Sequence, residues 1–220
     1  MPVHSEIDMT VLVLTPHPDD EMIGMGGTIA KLAAEGERVV VVVFTLGEGS
    51  HPWQRKEAIN KTREQEALAA GKIAGTSETI FLRIADGKIS TEVVEKGINE
   101  EVLKIIKQEK PRMIFAPAID DIHPDHRAVA RFIVAMHDKN KLEMPVWTYT
   151  VWNPLHVKGR DRPRMVMDIS KTFNTKWRAI QAYQSQKVST YQLIPTVMLR
   201  GFIHGVVHGY SMAEVFLKAR

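Results

Sequence analysis

Two short segments of the sequence place histidine beside acidic residues. Residues 15–21 read TPHPDDE, and residues 123–126 read HPDH. His17 and Asp20 are three positions apart on a turn that Pro18 stiffens, so both side chains can reach one metal ion. A histidine from the second segment would complete a set of two nitrogens and one carboxylate, which leaves a position open for water as in catalytic zinc sites. The same ligand types also hold non-haem iron(II), so they do not determine the metal.

The other polar groups of the two segments suit hydrolysis. Asp19 would lie beside the ion and be free to accept a proton from water, whose pKa a metal lowers to about 7. A second histidine of the 123–126 segment could donate to a developing oxyanion, and Asp125 could orient one of the two histidines. Either segment alone also fits a proline turn with an acidic helix cap. Their occurrence after two separate buried strands favours the catalytic interpretation.

The elements that position these segments alternate in type along the chain. Short apolar runs predict strands at 11–15, 39–46, 79–83, 113–116, 146–152 and 165–169. Amphipathic stretches predict helices at 27–35, 55–70, 90–109, 125–137 and 171–184. This alternation predicts an α/β fold, with a Rossmann-like, open, mostly parallel sheet, helices on both faces, and one domain over residues 1–220.

The order of the strands decides whether the two segments meet. In the common order 3-2-1-4-5, the first and fourth strands are neighbours, and the loops at their carboxyl ends line one crevice. We therefore expect the two segments to face each other across that crevice.

The composition excludes several classes of protein. The 220 residues contain no cysteine, which excludes disulfides, thiolate catalysis and cysteine-ligated metals. The formal charge of +3 is too small and too dispersed to indicate nucleic-acid binding. No apolar run is long enough to cross a bilayer, and residues 1–10 lack the apolar core of a signal peptide. A cytoplasmic, soluble enzyme is expected.

The motifs together resemble those that define the LmbE/PIG-L deacetylase family. The resemblance rests on residues 16–21, 26–28 (GGT) and 123–126, on Arg63, Glu66 and Ala70 in one predicted helix, and on Asp86-Gly87. It covers roughly residues 10–137 and is weaker in the C-terminal third. It implies a Rossmann-like fold, one zinc ion per chain, and removal of an acetyl group from a small molecule that contains N-acetylglucosamine. Members of this family are often homo-oligomers.

The resemblance assigns catalytic and metal-binding roles residue by residue. It makes His17, Asp20 and His126 the zinc ligands, with iron(II) or another divalent ion as alternatives. It makes Asp19 the general base and His123 the group that stabilises the tetrahedral oxyanion.

Three further residues take supporting roles by the same resemblance. Asp125 would hold His123 in its charged, donating state. Arg63 and Asp86 fall where family members hold sugar hydroxyls.

Three other functions were weighed against this one. An amidase for a sugar–thiol conjugate would use the same catalytic residues. A Rossmann oxidoreductase is disfavoured, because residues 24–27 do not fit the G-x-G-x-x-G spacing and acidic groups occupy the place of a pyrophosphate. A non-catalytic binding module is disfavoured because Asp19 and His123 are both present. The basic loop 158–164 would suit an anionic group attached to the sugar.

A few residues outside the motifs have weaker claims to the site. His51, after the second predicted strand, could line it. His204 and His208 are four positions apart but have no acidic base between them, which favours ordinary helix or surface histidines. Trp53 and Trp152 could stack on a sugar ring, although burial is the commoner role of tryptophan.

Overall fold

The computed structural model describes residues 9–50, 55–152 and 162–220. Its strands are β1 (Thr10–Thr15), β2 (Arg38–Thr45), β3 (Glu78–Ile84), β4 (Met113–Pro117), β5 (Val146–Tyr149), β6 (Arg164–Asp168) and β7 (Ala213–Lys218). Its helices are α1 (Asp20–Ala34), α2 (Lys56–Ala74), α3 (Ile89–Glu95), α4 (Ile98–Glu109), α5 (Pro124–Asn140), α6 (Phe173–Gln181) and α7 (Lys187–His208). His51, Trp53 and residues 158–161 of the basic loop lie outside the described residues. Across those three ranges, no helix combines the length and hydropathy that crossing a membrane requires.

The seven strands form one sheet in the order β3-β2-β1-β4-β5-β7-β6. The five strands from β3 to β5 pair in parallel, whereas β7 is antiparallel to both of its neighbours. The predicted open, mostly parallel α/β sheet and its 3-2-1-4-5 order are confirmed. The seventh strand was not predicted, and it separates β5 from β6.

Both faces of the sheet are covered, so its central strands are apolar throughout. In β1, Val11 and Val13 face a core that α1, α2 and α6 complete, while Leu12 and Leu14 face a second core formed with α3, α4 and α5. Burial on both faces explains why β2 consists almost entirely of valine instead of alternating with polar residues. The helices on both faces are as predicted; the single-domain organisation stays a prediction.

Helix α1 begins seven residues before the predicted start. Residues 24–27 were interpreted as a loop because of their glycines, but they are helical with a break at Met25 (φ −147°, ψ 18°). The glycines permit close packing: a Cβ at Gly24 would lie 2.3 Å from the Tyr149 ring, and one at Gly27 would lie 2.7 Å from Ile169. The early start means that Asp20 is the first residue of the helix.

A buried ionic network holds this break in α1. The Glu214 carboxylate, from β7, accepts hydrogen bonds from the backbone N–H groups of Gly27 (3.2 Å) and Thr28 (2.8 Å) and from the Thr28 hydroxyl (2.6 Å). Lys176 of α6 donates to Glu214 at 2.6 Å and to the Ile23 carbonyl at 2.8 Å. The C-terminal strand is thereby tied to the helix that carries Asp20.

Two other helix predictions differ from the structure. The predicted helix 90–109 is divided into α3 and α4 at Gly97, whose φ of +66° suits a residue without a side chain. The predicted helix 171–184 is shorter, because α6 ends at Gln181 and a 3₁₀ turn follows at Gln184–Gln186. The long helix α7 begins directly after this turn.

Candidate metal centre and active site

The two acidic-histidine segments meet at the carboxyl ends of β1 and β4, as expected from the strand order. The ring centroids of His17 and His123 are 5.0 Å apart, those of His123 and His126 are 5.0 Å apart, and those of His17 and His126 are 5.9 Å apart. Each pair of rings presents nitrogens within 4.8 Å of each other. The first segment is held in place by a hydrogen bond from the Thr45 N–H to the Pro16 carbonyl (2.8 Å).

The buried carboxylate of Asp20 lies between two imidazoles. Its Oδ2 is 3.0 Å from Nδ1 of His17 and 3.1 Å from Nε2 of His126. Burial alone would raise the pKa of Asp20, but His126 and His17 outweigh burial and lower it below its ordinary value. The three predicted metal ligands are therefore adjacent, with the carboxylate ionised.

His126 shows that these residues fit a bound cation. It is fully buried, and neither ring nitrogen makes a hydrogen bond of acceptable geometry, although Asp20 and Asp121 approach within 3.1 and 3.3 Å. Buried polar groups without partners are rare in native proteins and call for an explanation such as an ion. A nitrogen facing a carboxylate, with a second histidine beside it, is the donor set of a catalytic zinc or iron(II) site.

Asp19 occupies an unusual backbone conformation directly before α1. Its φ of 108° is positive, which is rare for a residue other than glycine and costs of order 1–3 kcal/mol. Its carboxylate does not cap the helix, so the capping interpretation does not apply. Burial, and then the charge of Asp20, raise its pKa to about 8. The side chain is thus a carboxyl group that exchanges a proton close to neutral pH.

Arg63 lies behind Asp19 and is almost fully buried. Nη1 donates to the Gly47 carbonyl and Nη2 to the Pro18 carbonyl, both at 2.9 Å, and Nη2 is 3.9 Å from the Asp19 carboxylate. The guanidinium therefore supports the strained Asp19 turn and lowers the pKa of Asp19. Contact of Arg63 with sugar hydroxyls stays a prediction, and these bonds favour a positioning role.

His123 caps α5 and is neutral. Its Nδ1 accepts the backbone N–H of Asp125 (3.3 Å), so in the neutral ring the proton is on Nε2. Burial, and then the nearby rings of His17 and His126, lower its pKa. His123 can therefore present an N–H donor without carrying a charge.

The Asp125 carboxylate contacts a different histidine from the one expected. Its Oδ2 lies 3.3 Å from Nε2 of His17 and accepts the Gly87 N–H at 3.2 Å. The expectation that it holds His123 in a charged state is wrong in this geometry, because His123 meets the backbone of Asp125 rather than its side chain. Asp125 instead supports His17 and the loop after β3.

Asp86, on that loop, also reaches His17. Its Oδ1 is 3.1 Å from Nε2 of His17, and its Oδ2 accepts the Gly49 N–H at 3.1 Å. Burial opposes a charge on His17, but the carboxylates of Asp125, Asp20 and Asp86 outweigh it and raise the His17 pKa well above its ordinary value. The Asp86 carboxylate lines the cavity, and its contact with a sugar stays a prediction.

Comparison with known proteins identifies the family. The family model described as "PIG-L: GlcNAc-PI de-N-acetylase" matches residues 12–137, which include both acidic-histidine segments. This chain belongs to the PIG-L family.

Named relatives of this PIG-L protein include two deacetylases. It is 32% identical to the probable N-acetyl-alpha-D-glucosaminyl L-malate deacetylase 2 of Bacillus cereus, over 80% of this chain and 83% of the relative. It is 26% identical to the diacetylchitobiose deacetylase of Thermococcus kodakarensis, over 93% and 80% of the two chains. The structure of GalB, a 4-carboxy-2-hydroxymuconate hydratase of Pseudomonas putida KT2440, superposes with a TM-score of 0.81 at 21% identity, over 96% of each chain. That last likeness concerns the fold alone.

Asp121 is a member of this PIG-L site that the sequence analysis missed. Its fully buried carboxylate lies 3.3 Å from Nδ1 of His126 and accepts the His123 N–H at 2.9 Å. Burial opposes its charge, but His126 outweighs burial and lowers the pKa of Asp121. The available signal was a pair of aspartates between β4 and His123, which is the position of a partner for a metal-binding histidine.

A cavity of about 260 Å³ opens onto these residues in the PIG-L domain. Its lining includes Trp152, in agreement with the predicted place of that side chain, and three residues of the C-terminal third that were not predicted: Gln186, Thr190 and Leu193. His204 and His208 do not form a ligand pair, because Nδ1 of His208 contacts the His204 carbonyl at 2.9 Å. The cavity therefore joins the N-terminal motifs to the start of α7.

Proposed function

We propose that this chain is a metal-dependent N-deacetylase, which hydrolyses the acetamide of a small molecule containing N-acetylglucosamine to acetate and a free amino sugar. The observation that carries the proposal is the Asp20 carboxylate, held between nitrogens of His17 and His126 beside the buried carboxyl of Asp19. The relatives named above act on two substrates that share this acetamide group.

The metal in this proposal is one zinc ion per chain. His17, Asp20 and His126 would hold it, and iron(II) suits the same ligand types. A divalent ion at this place supplies Lewis acidity, which lowers the pKa of water and polarises a carbonyl group.

The residues of the chain supply the proton transfers and the positioning. Asp19 accepts the proton of the attacking water and returns it to the leaving amine. Nε2 of His123 donates a hydrogen bond to the oxygen of the tetrahedral intermediate, a contact that contributes about 3–4 kcal/mol in comparable sites. Asp86 and Trp152, which line the cavity, are proposed to contact the sugar ring.

The substrate beyond the amino sugar is a separate part of the proposal. A sugar–thiol conjugate would be hydrolysed by the same residues, so substrate profiling decides between it and a simple acetamide. A homo-oligomeric state and a cytoplasmic location stay predictions.

The test is amine release by the zinc-loaded protein from N-acetylglucosamine, diacetylchitobiose and N-acetylglucosaminyl malate. Asp19→Asn keeps the shape of the side chain but removes the base, so we expect a loss of about 10²–10⁴-fold with metal content unchanged. Asp138→Asn is the matched control, because Asp138 is paired with Arg220 on the surface. Full activity of Asp19→Asn would remove Asp19 from the mechanism. No amine release from any of the three compounds, with metal bound, would contradict the proposed substrate class.

A further inference from the structure

Helix α7 is apolar around its whole circumference. One face, which includes Leu193 and Val197, is buried in the core. The opposite face is exposed, and we define the α7 surface as its large apolar side chains together with the tyrosine after the helix: Tyr191, Met198, Leu199, Phe202, Ile203, Val206, Val207 and Tyr210. Arg200 is the only lysine, arginine or acidic residue between positions 188 and 210. A helix that is apolar on all sides is normally covered on all sides.

The area of the α7 surface matches that of a specific protein interface. Its side chains are between 42% and 70% exposed. At about 200 Å² for a large side chain, they present on the order of 800 Å² of apolar surface. The largest apolar patch on a typical monomer is only about 300–600 Å². A stable interface buries about 800 Å² on each partner, so this surface is large enough for one.

We propose that the α7 surface is the contact with a second copy of this chain, related by a two-fold axis. A two-fold contact joins the same patch on both subunits, so the patch must be complementary to itself. An apolar surface without charged side chains meets this condition, because no like charges are brought together.

The pattern of side chains also suits packing of one helix against another. Met198, Phe202 and Val206 form one ridge of residues four apart, and Leu199, Ile203 and Val207 form a second, parallel ridge. Ridges of this spacing fit into the grooves of an identical helix at a crossing angle of about −50°. We expect α7 to cross its counterpart near Phe202, at the middle of the two ridges.

The charge distribution favours a protein partner over a lipid surface. Helices that lie on membranes carry lysine and arginine on the face opposite the apolar one. In α7 the opposite face packs into the protein core and lines the cavity through Thr190 and Leu193. Pairing through α7 would therefore also hold one wall of the cavity in place, whichever amide the enzyme cleaves.

The first test is the mass of the full-length protein in solution, measured by sedimentation equilibrium at about 1–50 μM. We expect at least twice the chain mass of 24.8 kDa for the wild type. Phe202→Glu would place two unpaired charges at the two-fold axis, so we expect this variant to sediment at the mass of one chain. Val94→Glu is the matched control, because Val94 is 71% exposed on α3, and it is expected to keep the wild-type mass.

A second measurement keeps the proposal testable if Phe202→Glu does not fold. The sequence contains no cysteine, so Phe202→Cys introduces a single thiol, and oxidation is expected to produce a covalent dimer that Val94→Cys does not form. A wild-type protein that remains a monomer at 50 μM would overturn the proposal, as would an unchanged mass of folded Phe202→Glu. Monomeric wild type that sediments with phosphatidylcholine vesicles would also overturn it and would assign the α7 surface to lipid.

Discussion

Replacing Arg63 with methionine is expected to shift the pH dependence of the deacetylase reaction rather than to weaken binding of the sugar. The Arg63 guanidinium lies 3.9 Å from the Asp19 carboxylate and donates to the carbonyl of the preceding residue, Pro18. Its charge lowers the pKa of Asp19, which burial raises. Because Asp19 must be ionised to accept a proton, removal of the positive charge should make the base available only at higher pH.

The distance between the two groups determines the size of the shift. Unit charges about 4 Å apart interact by about 4 kcal/mol at an effective dielectric constant of 20, which corresponds to about 3 pH units. Water that replaces the guanidinium recovers part of this energy, and carboxylates beside arginine usually show shifts of about 1–3 units. For Arg63→Met we therefore expect the acidic limb of the kcat/KM profile to move up by about 1–3 units. Below that limb, each unit is a loss of about tenfold.

The assay is kcat/KM for amine release between pH 5 and 10, with metal content measured at each pH. Arg63→Lys is the matched variant, because it keeps the positive charge but loses the planar fork that reaches both the Pro18 and the Gly47 carbonyls. We expect its acidic limb to lie close to that of the wild type, with a lower kcat from poorer positioning of Asp19. Rescue of the limb by lysine would separate the charge from the hydrogen bonds.

One result would refute this reasoning. If Arg63→Met leaves the acidic limb in place and raises KM for the sugar substrate at constant kcat, then Arg63 holds sugar hydroxyls, as the family resemblance implies. The hydrogen bonds to the two carbonyls would then be a feature of the free enzyme alone.

Two further predictions concern the support of the site. Asp121→Asn removes a carboxylate beside Nδ1 of His126, so zinc affinity measured by chelator competition is expected to fall about 10–100-fold; an unchanged affinity would exclude Asp121 as a partner of a metal ligand. Lys176→Met leaves the Glu214 carboxylate buried without its cation, so the free energy of unfolding in urea is expected to fall by about 3–5 kcal/mol. A midpoint equal to that of the wild type would show that the ion pair does not stabilise the fold.

The central part of the fold could be predicted because its residues carry strong local patterns. The valine run of β2 is explained by a strand buried on both faces, and the alternation of strands and helices leads to the order 3-2-1-4-5. That order alone brings His17 and His126 together although they are 109 positions apart. The composition of the two motifs then indicates the chemistry.

The remaining features depend on contacts that leave no local pattern. Helix α7 has no polar face, so it lacks the periodicity from which a helix is predicted, and Pro195 lies within it. The contact of Glu214 with Thr28 joins residues 186 positions apart. Asp121 is buried by the histidine that it supports, and its sequence position alone does not distinguish it from its neighbour Asp120. Tertiary packing, rather than the preferences of single residues, decides each of these features.

The place of β7 in the sheet has a consequence for the order in which the protein matures during synthesis. β6 is translated about 45 residues before β7, yet it joins the sheet only through β7. While β7 is still inside the ribosome, β6 has no neighbour to pair with, and the break in α1 lacks its Glu214 anchor. The nascent chain is thus expected to carry both metal-binding motifs and a five-stranded sheet well before it has a finished site. Arrival of one short strand completes the sheet and secures the helix that begins at Asp20, so catalytic competence is acquired in a single late step.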